Sequence, residues 1–239
     1  MKYLSGKRSN IAMMTLLAIM MATSASAEII KHLEFNTDGS LPSDDPQIAF
    51  TATAGVVEAD VFSVSGGILT GIYPGGNSFP ITYAYPGEFY GSGPTNGGIS
   101  PVDPWSVEIR VRILENAGGY FTLWNGDRRF PIGFTATGVQ LFHGGNPNWL
   151  NYPCDPSQWH VLRMWSDNGS NFSASVDGVV IATDKVGLND ANVLNGFWFR
   201  LNPHSDPAHV QWDYVRFESG ANAVTSEEAS FGELKAMFR

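Results

Sequence analysis

The chain has 239 residues, 43 % of them hydrophobic, and carries 23 Asp and Glu against 14 Lys and Arg, a net charge of −9. An acidic balance with no basic cluster argues against a nucleic-acid partner, whose phosphates demand a basic footprint, and against binding to an anionic membrane surface. Cys154 is the only cysteine, so no internal disulfide forms. Flanked by Pro153 and Asp155, with no base identifiable beside it, it reads as a structural residue rather than a nucleophile.

Residues 1–27 read as a cleaved signal peptide. Lys2, Lys7 and Arg8 make a basic start, residues 11–21 form an apolar run, and Ala22-Thr-Ser-Ala-Ser-Ala27 supplies the small residues a signal peptidase reads. The apolar run is too short for a comfortable span of about 20 residues, and no Cys at the cut offers a lipid anchor. The expected product begins at Glu28 and is exported, secreted or periplasmic, with no membrane attachment. It keeps 11 basic and 23 acidic residues, a charge of −12.

Beyond residue 27, Gly and Pro are abundant and long 3.6-residue periods are almost absent, whereas short alternating runs recur. That pattern predicts an all-β sandwich or barrel. Residues 29–35 read as the first strand, 36–46 as a turn-rich loop, 55–64 as extended, and 67–73 as a strand after a Ser-Gly-Gly turn. Residues 74–104 are crowded with Gly, Pro and aromatics. Only 81–85 look strand-like there, and the rest reads as an ordered loop packed on the sandwich. Trp105–Glu115 is the clearest strand: Trp105, Val107, Ile109, Val111 and Ile113 point to the core, while Ser106, Glu108, Arg110 and Arg112 point away. Residues 119–124, 130–135 and 139–143 follow as strands.

Residues 159–182 are the most informative stretch. They read strand, polar turn, strand, Asp177-Gly178 corner, strand, the usual hairpin signal. Residues 196–202 and 209–218 complete the strands. Residues 220–239 differ: a linker, then Ser230-Phe-Gly-Glu233 at capping-box spacing and a helix-friendly end. The expected organisation is a signal peptide at 1–27, one domain at 28–219, and a linker with a short C-terminal helix at 220–239.

Three segments carry a resemblance: the Trp105 strand, Trp159-His160 … Arg163 … Val176-Asp177-Gly178, and the final Val210-Gln-Trp-Asp-Tyr-Val-Arg-Phe217. Together they resemble the concanavalin A-like lectin/glucanase superfamily, and within it the LamG-like jelly rolls of secreted bacterial proteins. Phe35-Asn-Thr-Asp-Gly-Ser-Leu-Pro42 and Ser65-Gly-Gly-Ile-Leu69 also suit that group. The resemblance implies an antiparallel two-sheet jelly-roll β-sandwich with a concave face where glycans are bound or cleaved. Members include lectins, binding modules, adhesion modules, hydrolases and lyases, so the fold alone does not choose among them.

Sugars offer apolar C–H faces to flat rings and hydroxyls to Arg, Asp, Asn and Gln. Arg110, Arg163, Trp165, Trp198, Arg200, Gln211 and Asp213 are the candidates for lining one such face, with Tyr120 and Trp124 adding stacking. The competing reading is that the Trp residues serve packing and the Arg residues pair with Glu108 or Asp213. A hydrolase needs two carboxyls. The laminarinase-like Glu-x-Asp-x-x-Glu motif has no counterpart: at Glu108-Ile-Arg-Val-Arg-Ile-Leu-Glu115, Arg110 stands where the Asp belongs. No cofactor is required. Asp38, Asp44 and Asp45, with Gly39 and Ser43, offer hard oxygens suited to Ca²⁺, against the reading that such turns bond their own backbone.

The leading expectation is a secreted, non-catalytic module binding an extracellular glycan or polysaccharide. The alternatives are a glycoside hydrolase or polysaccharide lyase with a non-standard site, and a structural or adhesion module contacting protein. The sequence leaves the oligomeric state open.

Overall fold

A computed structural model describes residues 29–52, 55–74, 81–85, 101–115, 119–189, 195–201 and 207–220. The expected signal peptide, the C-terminal helical tail and most of the 74–104 loop lie outside the described residues. In chain order the strands are β1 (Ile29–Leu33), β2 (Ala49–Thr51), β3 (Phe62–Ser65), β4 (Ile68–Tyr73), β5 (Ile81–Tyr85), β6 (Trp105–Glu115), β7 (Gly119–Asn125) and β8 (Arg128–Thr135). Then come β9 (Gly138–Phe142), β10 (Trp149–Pro153), β11 (His160–Ser166), β12 (Asn171–Val176), β13 (Val179–Val186), β14 (Leu188–Asn189), β15 (Asn195–Leu201) and β16 (Ala208–Ser219).

They form two antiparallel sheets. Sheet A runs β13-β12-β11-β6-β16-β4-β3, with β1 also on β16; sheet B runs β10-β9-β8-β7-β15-β5-β2, with β14 on β8. Period-2 alternation builds the layer between them. In β6 every odd residue from Trp105 to Ile113 is buried and every even one is half-exposed, so one face of the strand meets the core and the other meets solvent. Rings from the two sheets interlock across the gap. Trp105 meets Phe130 at 4.7 Å, Phe217 meets Phe197 at 5.2 Å, and Trp212 meets Phe199 at 5.8 Å between centroids. Each such buried ring contributes a few kcal/mol of transfer free energy, about 1.5–3 for a full side chain. The architecture is the expected jelly-roll sandwich.

Turn chemistry fixes the register. At the Val176↔Val179 pair the two connecting residues, Asp177 and Gly178, both have positive φ, 51° and 78°, the geometry that matches the twist of the flanking strands. In β16 the pairing slips between Trp212 and Tyr214. Asp213 is the extra residue of this bulge, and its carboxylate meets Arg110 of β6.

Three short strands were not foreseen. β2 and β14 are three and two residues long, below the length at which alternation registers, and β10 is an edge strand with a half-exposed inner side. Residues 55–64 are not uniformly extended: Glu58–Val61 makes one helical turn before β3 starts at Phe62. Among the described residues no helix is long and apolar enough to cross a membrane.

Candidate functional site on the outer face of sheet B

The nine residues expected to share one face lie on two. Arg110, Arg163, Trp165, Gln211 and Asp213 stand on β6, β11 and β16 of sheet A, whereas Tyr120, Trp124, Trp198 and Arg200 stand on β7 and β15 of sheet B. The inner faces pack together, so the two outer faces point away from each other. Alternation along a strand tells which side chains oppose the core; it is silent on which of two outer faces they join.

The outer face of sheet A is closed by its own pairs. Arg110 Nη1 donates to Asp213 Oδ2 at 2.5 Å, and the Asp213 side chain is fully buried. Trp159 lies over both Arg110 and Arg112, 4.9 and 4.7 Å from ring centroid to guanidinium carbon. Arg112 Nε donates to Gln211 Oε1 at 2.8 Å, and Gln211 passes a bond on to Thr70 at 3.1 Å. Tyr214 donates to Glu108 at 2.8 Å, and burial, reinforced by that carboxylate, pushes its hydroxyl pKa far up. Arg216 bonds Glu34 through two nitrogens and lies 4.3 Å from the Tyr214 ring. Trp159, read in the sequence as opening a strand, was not among the site candidates; the strand begins one residue later, at His160.

This network also decides where the carboxyls stand. Glycoside hydrolysis ordinarily sets two carboxyls across the scissile bond, one protonated and one ionised. Glu108 is engaged by Tyr214 and lies 4.0 Å from Arg216; Asp213 is buried against Arg110. Glu115 has the opposite parity to Glu108 on β6 and sits about 23 Å along it.

Sheet B has a different chemistry. Reading across it in register, one outward row runs Asn151, Gln140, Gly133, Tyr120, Arg200, Thr82, Thr51. Six inter-strand gaps make that row about 29 Å long. Gly133 has no side chain for a physical reason: a Cβ there would stand 2.3 Å from the Tyr120 ring, so the ring lies across the bare backbone. Arg200 is 5.2 Å from the Tyr120 ring and 4.2 Å from the Trp198 ring. Trp198 packs on Trp124 at 5.2 Å, with Ala84 and Tyr120 completing a small cluster separate from the main core. Trp124 and Trp198 are 4 % and 6 % exposed, so their rings are packed as a floor rather than presented. Tyr120 and Arg200 are half-exposed above it, and burial raises the Tyr120 hydroxyl pKa, with Arg200 acting against it. Toward the β10 edge, Gln140 donates to Asn151 at 3.2 Å, and Trp149 is exposed beside them. Thr82 is buried next to Arg200, and its hydroxyl makes no hydrogen bond among the described residues.

No strand of sheet B contains an Asp, Glu or Lys; their only charged residues are Arg128, Arg129 and Arg200. Arg129 pairs in register with Trp124 and so shares the outer face. Gln140, Asn151, Gly133 and Thr82 were absent from the sequence candidates. Thr82 was visible in the 81–85 alternation, but Asn151 belongs to a strand the sequence did not announce.

The three Asp residues expected to suit Ca²⁺ each bond groups of their own loop or its neighbours. Asp38 accepts the Gly66 amide, Asp44 accepts Ser40 and the Leu41 amide, and Asp45 accepts the Gln47 amide and pairs with Lys31 at 3.0 Å. Burial alone would raise the Asp45 pKa, but those two bonds hold it below its ordinary value. Among the described residues, no three His, Cys, Asp or Glu converge as a metal-holding group. A cleft of about 360 Å³ beside this loop is lined by Phe35, Glu34, His32, Asp44 and Asp45. Glu34 is engaged by Arg216, and His32 by Glu218 at 3.0 Å. His160 bonds Asp177 through Nδ1 at 2.6 Å and the Asp155 carbonyl through Nε2 at 2.8 Å. Acceptors on both ring nitrogens favour the protonated ring, and the Asp177 bond chiefly raises its pKa. Burial pushes the Cys154 thiol up, away from nucleophile chemistry.

The fold is that of the concanavalin A-like jelly rolls. Among solved structures the chain is similar to the endo-β-1,3-glucanase from Pyrococcus furiosus, with a TM-score of 0.54 and 13 % identity, covering 80 % of this chain and 94 % of that one. It is also similar to β-agarase A solved in complex with oligoagarose, at 0.54 and 13 % over 85 % and 100 % of the two chains. The apo Crh5 transglycosylase follows at 0.51 and 16 % over 83 % and 87 %. No protein-family model and no curated protein sequence matches the chain.

Proposed function

We propose that the chain is an exported, non-catalytic jelly-roll module that holds a polysaccharide on the outer face of sheet B. One observation carries this reading: the row Asn151–Gln140–Tyr120–Arg200 joins amide, ring and guanidinium groups on strands that contain no carboxylate. Amides and guanidinium meet sugar oxygens, and a ring laid flat meets a C–H face. Among the described residues, the strands that carry this row supply no carboxyl to protonate a leaving oxygen. The glucanase, the agarase with its oligoagarose and the transglycosylase share this scaffold, which supports a glycan as the ligand class. The basic start and apolar run of residues 1–27 support export.

The test is retention of the chain from Glu28 onward on a panel of immobilised polysaccharides, with reducing-end release measured in the same tubes. The expected result is retention of at least one polymer without release, weakened about tenfold or more by Tyr120→Ala. Release of reducing ends would overturn the non-catalytic reading, and no retention across the panel would overturn the glycan reading.

A further inference from the structure

We propose that His160 is a pH-operated latch: its protonated ring holds the 154–158 loop against the Asp177 corner, and loss of one proton releases the loop while the corner stays bound. That loop carries the chain from β10, the edge of sheet B, to β11 of sheet A. Two acceptors meet the ring. Asp177 Oδ2 lies 2.6 Å from Nδ1, and the Asp155 carbonyl lies 2.8 Å from Nε2. A carbonyl and an ionised carboxylate only accept, so holding both bonds requires a proton on each ring nitrogen. The His160 side chain is 10 % exposed, which leaves little room for water to replace a lost donor.

A neutral imidazole keeps one N–H and gives up one of the two bonds. The carboxylate is the stronger acceptor, by about twofold in bond strength. Asp177 is also anchored independently: the Val161 amide donates to its Oδ1 at 2.8 Å, and its own amide donates to the Val161 carbonyl at 2.9 Å. The remaining proton therefore stays on Nδ1. Nε2 then turns a lone pair toward the Asp155 oxygen, acceptor against acceptor. The same oxygen takes the Gln158 amide at 3.1 Å, so the loop leaves as an intact turn. The groups around the ring do not reverse this choice. Asp155 turns its carboxylate to the Ser157 amide and hydroxyl, at 3.0 and 2.7 Å, and like Asp177 it favours the protonated ring. Arg110 of β6 is paired with Asp213 and favours the ionised Asp177. From β8 comes the Phe134 ring, 5.9 Å away, and on the loop burial keeps the Cys154 thiol protonated.

Two amide bonds tie the loop to its surroundings and report its release: Ile113 to the Pro156 carbonyl at 2.7 Å, and Cys154 to the Thr137 carbonyl at 3.4 Å. The Val161 and Asp177 amides report the corner. The experiment is amide hydrogen exchange followed by NMR between about pH 5 and about pH 9, on either side of the histidine range, with the intrinsic pH dependence of exchange divided out. The Ile113 and Cys154 amides should lose about tenfold in protection as pH rises, while the Val161 and Asp177 amides keep theirs. Asp177→Asn removes the carboxylate that favours the charged ring, so it should move the midpoint of the Ile113 change to lower pH. His160→Gln should make protection at Ile113 independent of pH. A flat Ile113 profile in the wild-type protein would overturn the latch. Equal loss at all four amides would do the same, being general loosening, as would loss at Val161 and Asp177 alone, which would put the surviving proton on the Asp155 side. An unshifted midpoint in Asp177→Asn, or a pH dependence that survives in His160→Gln, also overturns it. Should either variant fail to fold, the contrast between the two amide pairs in the wild-type protein decides.

Discussion

The two outer faces of the sandwich both carry Arg, Trp and Tyr, yet their strands differ in the acids they bring. On sheet A every arginine along β6 and β16 meets a carboxylate or an amide: Arg110 with Asp213, Arg112 with Gln211, Arg216 with Glu34. The face is stitched, and Trp159 caps it. On sheet B, Arg200 lies among rings on strands that have no acid. The difference teaches that an Arg and Trp alternation is not itself a binding signature. What decides is whether neighbouring strands bring counter-charges, and neighbouring strands are far apart in sequence. Arg110 and Asp213 are 103 residues apart.

The largest effect should come from breaking the stitch on sheet A. Asp213→Ala leaves Arg110, whose side chain is 16 % exposed, without its partner in a largely buried site. Removing one member of such a pair costs about 3–5 kcal/mol. The residual exposure of Arg110 places the expected loss near the lower end, about 3 kcal/mol, in urea unfolding. The double variant Asp213→Ala/Arg110→Met should recover part of it, since the stranded charge is gone. A single-variant loss below about 1 kcal/mol would mean that the pair behaves as a surface contact and that the faces differ less than described.

On sheet B the matching test is steric. Gly133→Ala puts a methyl 2.3 Å from the near edge of the Tyr120 ring, at atoms close to its root rather than at a flexible tip. The ring must leave the row, with a destabilisation of about 2 kcal/mol and a fall in polymer retention comparable to that of Tyr120→Ala. Retention unchanged in Gly133→Ala would detach Tyr120 from the binding surface.

How much of this was legible beforehand follows from what a single strand can say. The sandwich was legible because β6, β11 and β16 alternate over many residues, and because Asp177-Gly178 requires positive φ at both corner positions. The core faces of those strands followed from the same period. The partition of Trp165 and Trp198 between faces was not legible, since both simply alternate with an apolar set. Asp213 was singled out as a ligand group, but the bulge that turns it toward Arg110 depends on pairing register, which no local pattern encodes. Trp159, Asn151 and Gly133 acquire their roles only from residues on other strands.

A smaller effect separates the sheets by pH. His160 opens β11 on sheet A, and its pKa is raised chiefly by the bond to Asp177, with the Asp155 carbonyl on its other nitrogen. A raised folded pKa gives stabilisation that is complete below the ordinary histidine range and is lost as pH rises through the folded value. Asp177 works at the acid end. Burial opposes its ionisation, but the His160 bond and the Val161 amide hold its pKa below the usual carboxylate range. Its share is complete above that range and is lost as pH falls through the lowered value. Unfolding free energy should therefore decline as pH rises past neutrality, by about 1 kcal/mol, the low side for a charged bond because Asp177 is half-exposed and screened. His160→Gln should flatten that slope, while Tyr120→Ala on sheet B should retain it. A slope surviving in His160→Gln would assign the titration elsewhere.

The smallest expected effect is the most discriminating one for the two faces. Arg163 lies 5.5 Å from the Trp165 ring on the outer face of sheet A, the pair that looks most like a sugar platform by composition. An exposed cation–π contact is worth about 0.5–1 kcal/mol. Trp165→Ala and Arg163→Ala should each lower the unfolding free energy by about that much, and neither should change retention of any polymer that sheet B holds. The reasoning is geometric: the sandwich core stands between Trp165 and Arg200, so a ligand on one outer face cannot touch the other. If Trp165→Ala weakens retention as strongly as Tyr120→Ala does, the polymer lies on sheet A. The carboxylates there would then be ligand groups as well as partners of arginine.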